Sequence, residues 1–379
     1  MRRNRPLMLS LLLLLVTSVA QAAAPVPPPP QIDARAYILV DHVSGRVLGE
    51  KNADARVEPA SLTKLMTAYA VFHALQDGKL GLTTEVPISP HAWKAEGSRT
   101  FVQVGTRVPV EVLLQGMIVQ SGNDASIALA EAVAGSEPTF AELMNGYARR
   151  LGMKGSNFQN ATGLPGAQHY VTARDMAVLA SAIVREFPEY YRWYSQKEFT
   201  WNNITQQNRN GLLTRDPAVD GMKTGHTESA GYCLVSSARR NGMRMIAVVL
   251  GMASPRARED GSLALLNYGL GFFETRRVYA AGRELTRPRV YGASGGEAAV
   301  GLHRELAITV PRGRFKDLKT EIVLKPALEA PIAVNQSVGS VRAVLDGKVV
   351  AERALYPLAP VEKGNVFRRM WDTVAGWFD

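Results

Sequence analysis

The stretch from Glu58 to Phe72, EPASLTKLMTAYAVF, limits the possible folds more than any other part of the chain. Leu62, Leu65, Met66, Tyr69 and Phe72 recur at helical spacing, which predicts a buried helix from Ser61 to about Leu75. Lys64 lies inside that apolar surface. Ser61 precedes it by three residues, so the two share a helix face. Ser61 falls in the first turn, where free backbone N–H groups and the helix dipole favour negative charge. Desolvation and nearby cations would lower the pKa of Lys64 and let it act as a base. A serine hydroxyl needs such a base, and a place for the developing oxyanion, before it is a useful nucleophile. Taken alone, S-x-x-K more often marks a serine N-cap followed by a solvated lysine.

Two further motifs follow in order. VQSGNDASIALAE puts Ser121 and Asn123 in a break between apolar helical segments, where a hydroxyl and an amide can face a cleft; a helix–helix turn capped by Asn123-Asp124 is the plainer alternative. VDGMKTGHTESAGY puts Lys223-Thr224-Gly225 before an apolar strand. Lys223 and Thr224 offer a cation and a hydroxyl to an anionic group, and Gly225 permits close approach of a substrate backbone. Each motif is common by itself. S-x-x-K, S-x-N and K-T-G together are the motif set of penicillin-binding proteins and class A β-lactamases. On that joint pattern Ser61 is the acylated nucleophile and Lys64 its proton acceptor.

The layout agrees with an exported protein of more than one domain. Arg2, Arg3 and Arg5, an apolar run from Leu7 to Val19 and Ala20-Gln21-Ala22 form a secretory leader over 1–22, too short in its apolar part for a typical membrane span. A stiff proline-rich linker over 23–32 follows. Cys233 is the single cysteine, so no intramolecular disulfide can form; its setting, AGYCLVSSA, reads as a buried strand. The formal charge is +10, and loss of the three leader arginines leaves 41 basic against 34 acidic residues, a net +7. That balance suits polyanionic surfaces such as anionic lipid or wall polymers. No aromatic-interleaved basic segment of the nucleic-acid kind occurs.

Apolar runs around Ser44-Gly45 predict a hairpin. A helical middle follows, then strands at EFTWNN, CLVSSARR and RMIAVVLGM, and a closing helix at SLALLNYGLGFFET. The first strands should return beside the last in an antiparallel sheet. From Tyr279 the segments are short and β-like, and Asp346-Gly347 is a strong two-residue hairpin turn. In the tail, Val366, Phe367, Met370, Trp371, Val374, Trp377 and Phe378 share one helical face, which suits an interfacial amphipathic helix or, alternatively, a terminal helix packed on the β-rich part.

The words PASLTKLMTAY, QSGNDA, DGMKTGHT and GFFET closely resemble the low-molecular-mass penicillin-binding proteins, the D-alanyl-D-alanine carboxypeptidase family of the penicillin-binding protein 5/6 type. The likeness covers nearly all the mature chain. It implies an α/β (α+β) class: a β-lactamase/transpeptidase-like domain with a five-stranded antiparallel sheet, flanking helices and a helical subdomain. A small all-β domain and a C-terminal amphipathic helix complete it. The expected bounds are 33–278 for the serine peptidase domain, 279–361 for the β-rich domain and 362–379 for the anchoring helix.

The implied reaction removes the terminal D-alanine from a peptidoglycan pentapeptide through an acyl-enzyme on Ser61. β-Lactams acylate the same serine and stay. Backbone N–H groups of Ser61 and His226 would form the oxyanion hole. Ser121 would relay a proton to the leaving amine, Lys223 would tune it, and Asn123 would hold the substrate amide. Thr224 and an arginine of SPRARED would bind the free carboxylate; the family analogy favours Arg258 over Arg256. The His226 ring either lines the cleft or caps the strand. Thr162 stands where some relatives carry a histidine. His42, His73, His91, His169 and His303 have no metal-ligand spacing such as H-E-x-x-H, and neither metal nor cofactor is implied. The implied location is the periplasmic face of the inner membrane. Rival readings are a class A-like β-lactamase, with Glu198 and Asn202 in EFTWN as its deacylating pair, a DD-endopeptidase, and a non-catalytic wall-binding protein.

Overall fold

The computed structural model of the chain describes residues 26–364. The expected leader and the amphipathic face from Val366 onward lie outside the described residues.

The hairpin at Ser44-Gly45 forms strands β1 (Ala36–Asp41) and β2 (Val47–Lys51). Strands β3 (Val219–Thr227), β4 (Gly231–Arg240) and β5 (Met243–Met252) come from the other end of the domain. The sheet runs β2-β1-β5-β4-β3 with every pair antiparallel, so the first strands do return beside the last. Its two faces belong to different cores. Ile38, Val40, Val248 and Leu250 point into the larger, helical core, whereas Tyr37, Leu39, Ala247 and Val249 pack with Leu265 and Leu266 of the closing helix. Burial on both sides makes β1 and β5 continuous apolar runs without polar alternation.

Between β2 and β3 lie α1 (Lys64–Gln76), α2 (Val110–Val119), α3 (Asn123–Ala134), α4 (Glu137–Leu151) and α5 (Ala173–Glu186). The closing helix α6 (Pro255–Phe272) begins on Ser254, whose hydroxyl accepts from the Ala257 N–H at 3.1 Å. Helix α1 is buried nearly all round, as a central helix must be. It begins later than the expected bounds: Ala60–Thr63 forms a single 3₁₀ turn, and α1 starts at Lys64. In a 3₁₀ turn residues i and i+3 eclipse, so this tighter start brings Ser61 and Lys64 into register.

The β-rich part contains β6 (Phe273–Tyr279), which pairs with β7 (Leu306–Pro311), and the meander β8 (Lys319–Leu324), β9 (Gly339–Leu345) and β10 (Lys348–Pro357). Asp346 and Gly347 both have positive φ, 52° and 74°, as the expected two-residue turn requires. The fully buried Asp41 ties the two parts together, accepting from Ser44 Oγ and Thr275 Oγ1, each at 2.8 Å.

Candidate active site

Three elements converge on Ser61. The 3₁₀ turn supplies Ser61, the break between α2 and α3 supplies Ser121, the first residue of α3 is Asn123, and the edge strand β3 supplies Lys223 to His226. Lys64 is 1% exposed, and its Nζ donates to Ser61 Oγ at 3.0 Å, Asn123 Oδ1 at 2.7 Å and the Thr162 carbonyl at 2.6 Å. All three acceptors are neutral. Burial and the charge of Arg209 pull the amine from its ordinary range down to about 7, against the opposing carboxylates of Asp124 and Glu137. Lys223 is also held well below the ordinary lysine range, by burial first and then by the charges of Lys64, Arg209 and Arg258.

Ser121 has φ +69°, a left-handed conformation uncommon outside glycine, and its buried hydroxyl has no hydrogen-bond partner among the described residues. Such an orphan calls for an explanation in function, because buried hydroxyls are normally paired. The Asn123 amide is fixed from both ends: Oδ1 accepts from Lys64 and Nδ2 donates to the Glu96 carbonyl at 2.5 Å.

On β3, Thr224 is 5% exposed, while His226 is exposed and stacks on Tyr232 with ring centroids 4.0 Å apart. Gly225 is buried on β3 and packs against the nucleophile's turn. A Cβ there would lie 3.1 Å from the Pro59 carbonyl and 3.2 Å from both Ala60 Cβ and Leu62 Cγ. What comes close to it is the nucleophile's own turn. Arg258 is 7% exposed, lies 5.8 Å over the Tyr232 ring and leaves its Nε unpaired among the described residues. Arg256 is exposed and paired with Asp260 at 3.1 Å.

Several contributors carry no signal in the motifs. The Asp124 carboxylate is fully buried and accepts the N–H groups of Thr100 and Phe101 at 2.8 Å and Val102 at 3.3 Å, so it holds the loop that bonds Asn123. It directly follows Asn123, and from sequence it reads as a helix cap. Thr162 contributes its carbonyl, while its side chain donates to Asn160 Oδ1 at 3.1 Å. Arg209 acts through its charge. Glu198 sits in the hairpin Glu198–Trp201 with Ile204–Gln207, exposed, and accepts from Gln207 at 2.9 Å. It lies in a strand, as expected for EFTWNN.

The arrangement is a neutralisable amine against a serine hydroxyl, an unpaired second hydroxyl, and a group of cations suited to an anionic ligand. Comparison with known proteins gives the same answer. The D-alanyl-D-alanine carboxypeptidase family pattern matches residues 21–254, and that of the penicillin-binding protein 5 C-terminal domain matches residues 273–363. The chain is 44% identical to the D-alanyl-D-alanine carboxypeptidase DacA of Escherichia coli K12 over 352 residues, covering 91% of this chain and 87% of that one. It is 44% identical to DacC of the same organism over 351 residues, covering 90% and 88%. Its fold matches the crystal structure of penicillin-binding protein 5 from Haemophilus influenzae with a TM-score of 0.85 at 43% identity, over 89% of this chain and all of that one.

Proposed function

The chain belongs to the D-alanyl-D-alanine carboxypeptidase family, and from that premise we propose how its own residues carry the reaction. It is a serine D-Ala-D-Ala carboxypeptidase that also binds penicillin. The observation that carries the mechanism is the 3.0 Å contact of the buried Lys64 Nζ with Ser61 Oγ. The neutral amine takes the Ser61 proton as Oγ attacks the carbonyl between the two terminal D-alanines. N–H groups of Ser61 and His226 stabilise the oxyanion; losing one such donor typically costs about 3 kcal/mol in the transition state. The C–N bond breaks as the D-alanine amine takes a proton delivered through Ser121, which fits its unpartnered hydroxyl. Lys223 supports that transfer. Asn123 orients the substrate amide. Water then releases the shortened peptide from Ser61. A β-lactam forms the same ester, but its leaving nitrogen stays tethered to the acyl group.

Thr224 and Arg258 bind the terminal carboxylate. Burial and the free Nε favour Arg258, whereas Arg256 already has a carboxylate partner. Arg258→Ala should lower kcat/KM for a D-Ala-D-Ala peptide about 10- to 100-fold, the size of a lost charge-assisted hydrogen bond, and Arg256→Ala about twofold at most. Steady-state D-alanine release measures both; equal losses for the two variants would remove Arg258 from this role.

Export to the periplasm and attachment to the membrane surface rest on the leader and tail sequences. Among the described residues no helix is long and apolar enough to cross a membrane. An amphipathic tail lying in the interface is compatible with that. Deleting residues 364–379 should shift the protein from the membrane pellet to the soluble fraction, and unchanged pelleting would rule out the anchor.

A further inference from the structure

The turn that carries the nucleophile is strained. Ala60 has φ +47°, a conformation that alanine adopts only when its surroundings impose it. Two glycines press on the turn. Gly225 meets it from β3, and a Cβ on Gly163 would overlap the Ala60 carbonyl and lie 2.9 Å from Thr63 Oγ1. Apart from the bond made by Lys64, one side-chain hydrogen bond reaches the turn among the described residues. It joins His169 Nε2 to Thr63 Oγ1 at 3.0 Å, across 106 positions of sequence.

His169 closes a loop that serves the site at several points. Asn160 Oδ1 accepts the N–H of Gly163 at 2.7 Å, Ala161 offers its carbonyl to Thr67 at 2.7 Å, and Thr162 offers its carbonyl to Lys64 at 2.6 Å. The ring is 2% exposed and meets Phe158 edge-on at 6.0 Å. Its Nδ1 is buried with no partner among the described residues. Burial holds the imidazole down to about 4, so it is neutral at ordinary pH. An apolar side chain would fill this space without leaving a nitrogen unpaired. The feature that an imidazole adds is the bond from Nε2 to Thr63, the residue before Lys64.

We propose that His169 is a positioning residue: by holding Thr63 it sets the approach of Ser61 Oγ to Lys64 Nζ. This rests on Ser61 and Lys64 acting as nucleophile and base. His169 itself touches neither substrate nor Ser61. A small displacement of a reacting group costs rate steeply, so the effect should appear in acylation.

The test is the second-order rate constant for acylation of the full chain by a fluorescent penicillin, with the melting midpoint measured beside it. His169→Ala and Thr63→Val should each lower acylation about tenfold, and the double variant should also stay near tenfold, because both remove one bond. His169→Gln, whose amide can reach the position of Nε2, should stay within about threefold of the unmodified chain. Single variants within about twofold of the unmodified chain, or losses that multiply to about 100-fold in the double variant, would overturn the proposal. So would His169→Gln being as slow as His169→Ala. A role in packing alone would lower the midpoint without that coupling. If His169→Ala does not fold, the cycle of His169→Gln and Thr63→Val decides: the double variant should be no slower than Thr63→Val, and a further loss overturns the proposal. Failure of the underlying mechanism is seen separately, as a penicillin adduct of the unmodified chain that lies off Ser61.

Discussion

Ser61→Ala is expected to lower D-alanine release from a pentapeptide by about 10⁴-fold or more, the scale of losing a covalent nucleophile. The fold should survive. The Ser61 hydroxyl has one hydrogen-bond partner among the described residues, Lys64, and alanine suits a short helical turn. The loss should therefore fall on kcat, with little change in the affinity for substrate held by Thr224, Asn123 and Arg258. Residual release within about tenfold of the unmodified enzyme would mean that another group forms the acyl bond.

Lys64→Met comes next in size. Methionine fills the space of the lysine stem but cannot accept the proton, and general-base losses run to about 10²–10⁴-fold. The variant also leaves Asn123 Oδ1 and the Thr162 carbonyl without their donor, at a cost of about 1–3 kcal/mol per orphaned acceptor. Removal of a desolvated amine offsets part of that cost. The more telling readout is pH. The amine must be neutral to take the serine proton, and its pKa is drawn down to about 7. Acylation should be full above that value and fall below it with unit slope, so that at about pH 5 it is down roughly 100-fold. Lys64→Met should be slow and without that limb. An acid limb that persists unchanged in the variant would assign the titration to another group.

What could be read from the chain in advance follows a physical line. The burial of Lys64, the Ser44-Gly45 hairpin, the Asp346-Gly347 turn and the return of β1 beside β5 were all legible, because each depends on local periodicity, turn chemistry or the order of segments. The motif residues were legible because their spacing reflects a shared helix face or strand. The 3₁₀ start of α1 was not, since an apolar period cannot separate a tight turn from an α-helix over four residues. Gly225 was found for its small size, but its contact with Ala60 is a tertiary fact. Asp124, the Thr162 carbonyl, His169 and Arg209 act on residues far away in sequence or through charge alone, and no local pattern records such partners. Thr162 is the clearest case. The sequence points to its side chain, yet the atom that meets Lys64 is backbone and needs no particular residue.

The central claim is that one hydroxyl, Ser61, forms the covalent bond. The direct measurement is intact mass of the protein after incubation with penicillin, followed by peptide mapping of the adduct. The account predicts a single adduct of one penicillin mass, on the peptide containing Ser61, and none on Ser61→Ala. An adduct mapped to Ser121 or any other residue, or one that persists in Ser61→Ala, would contradict it.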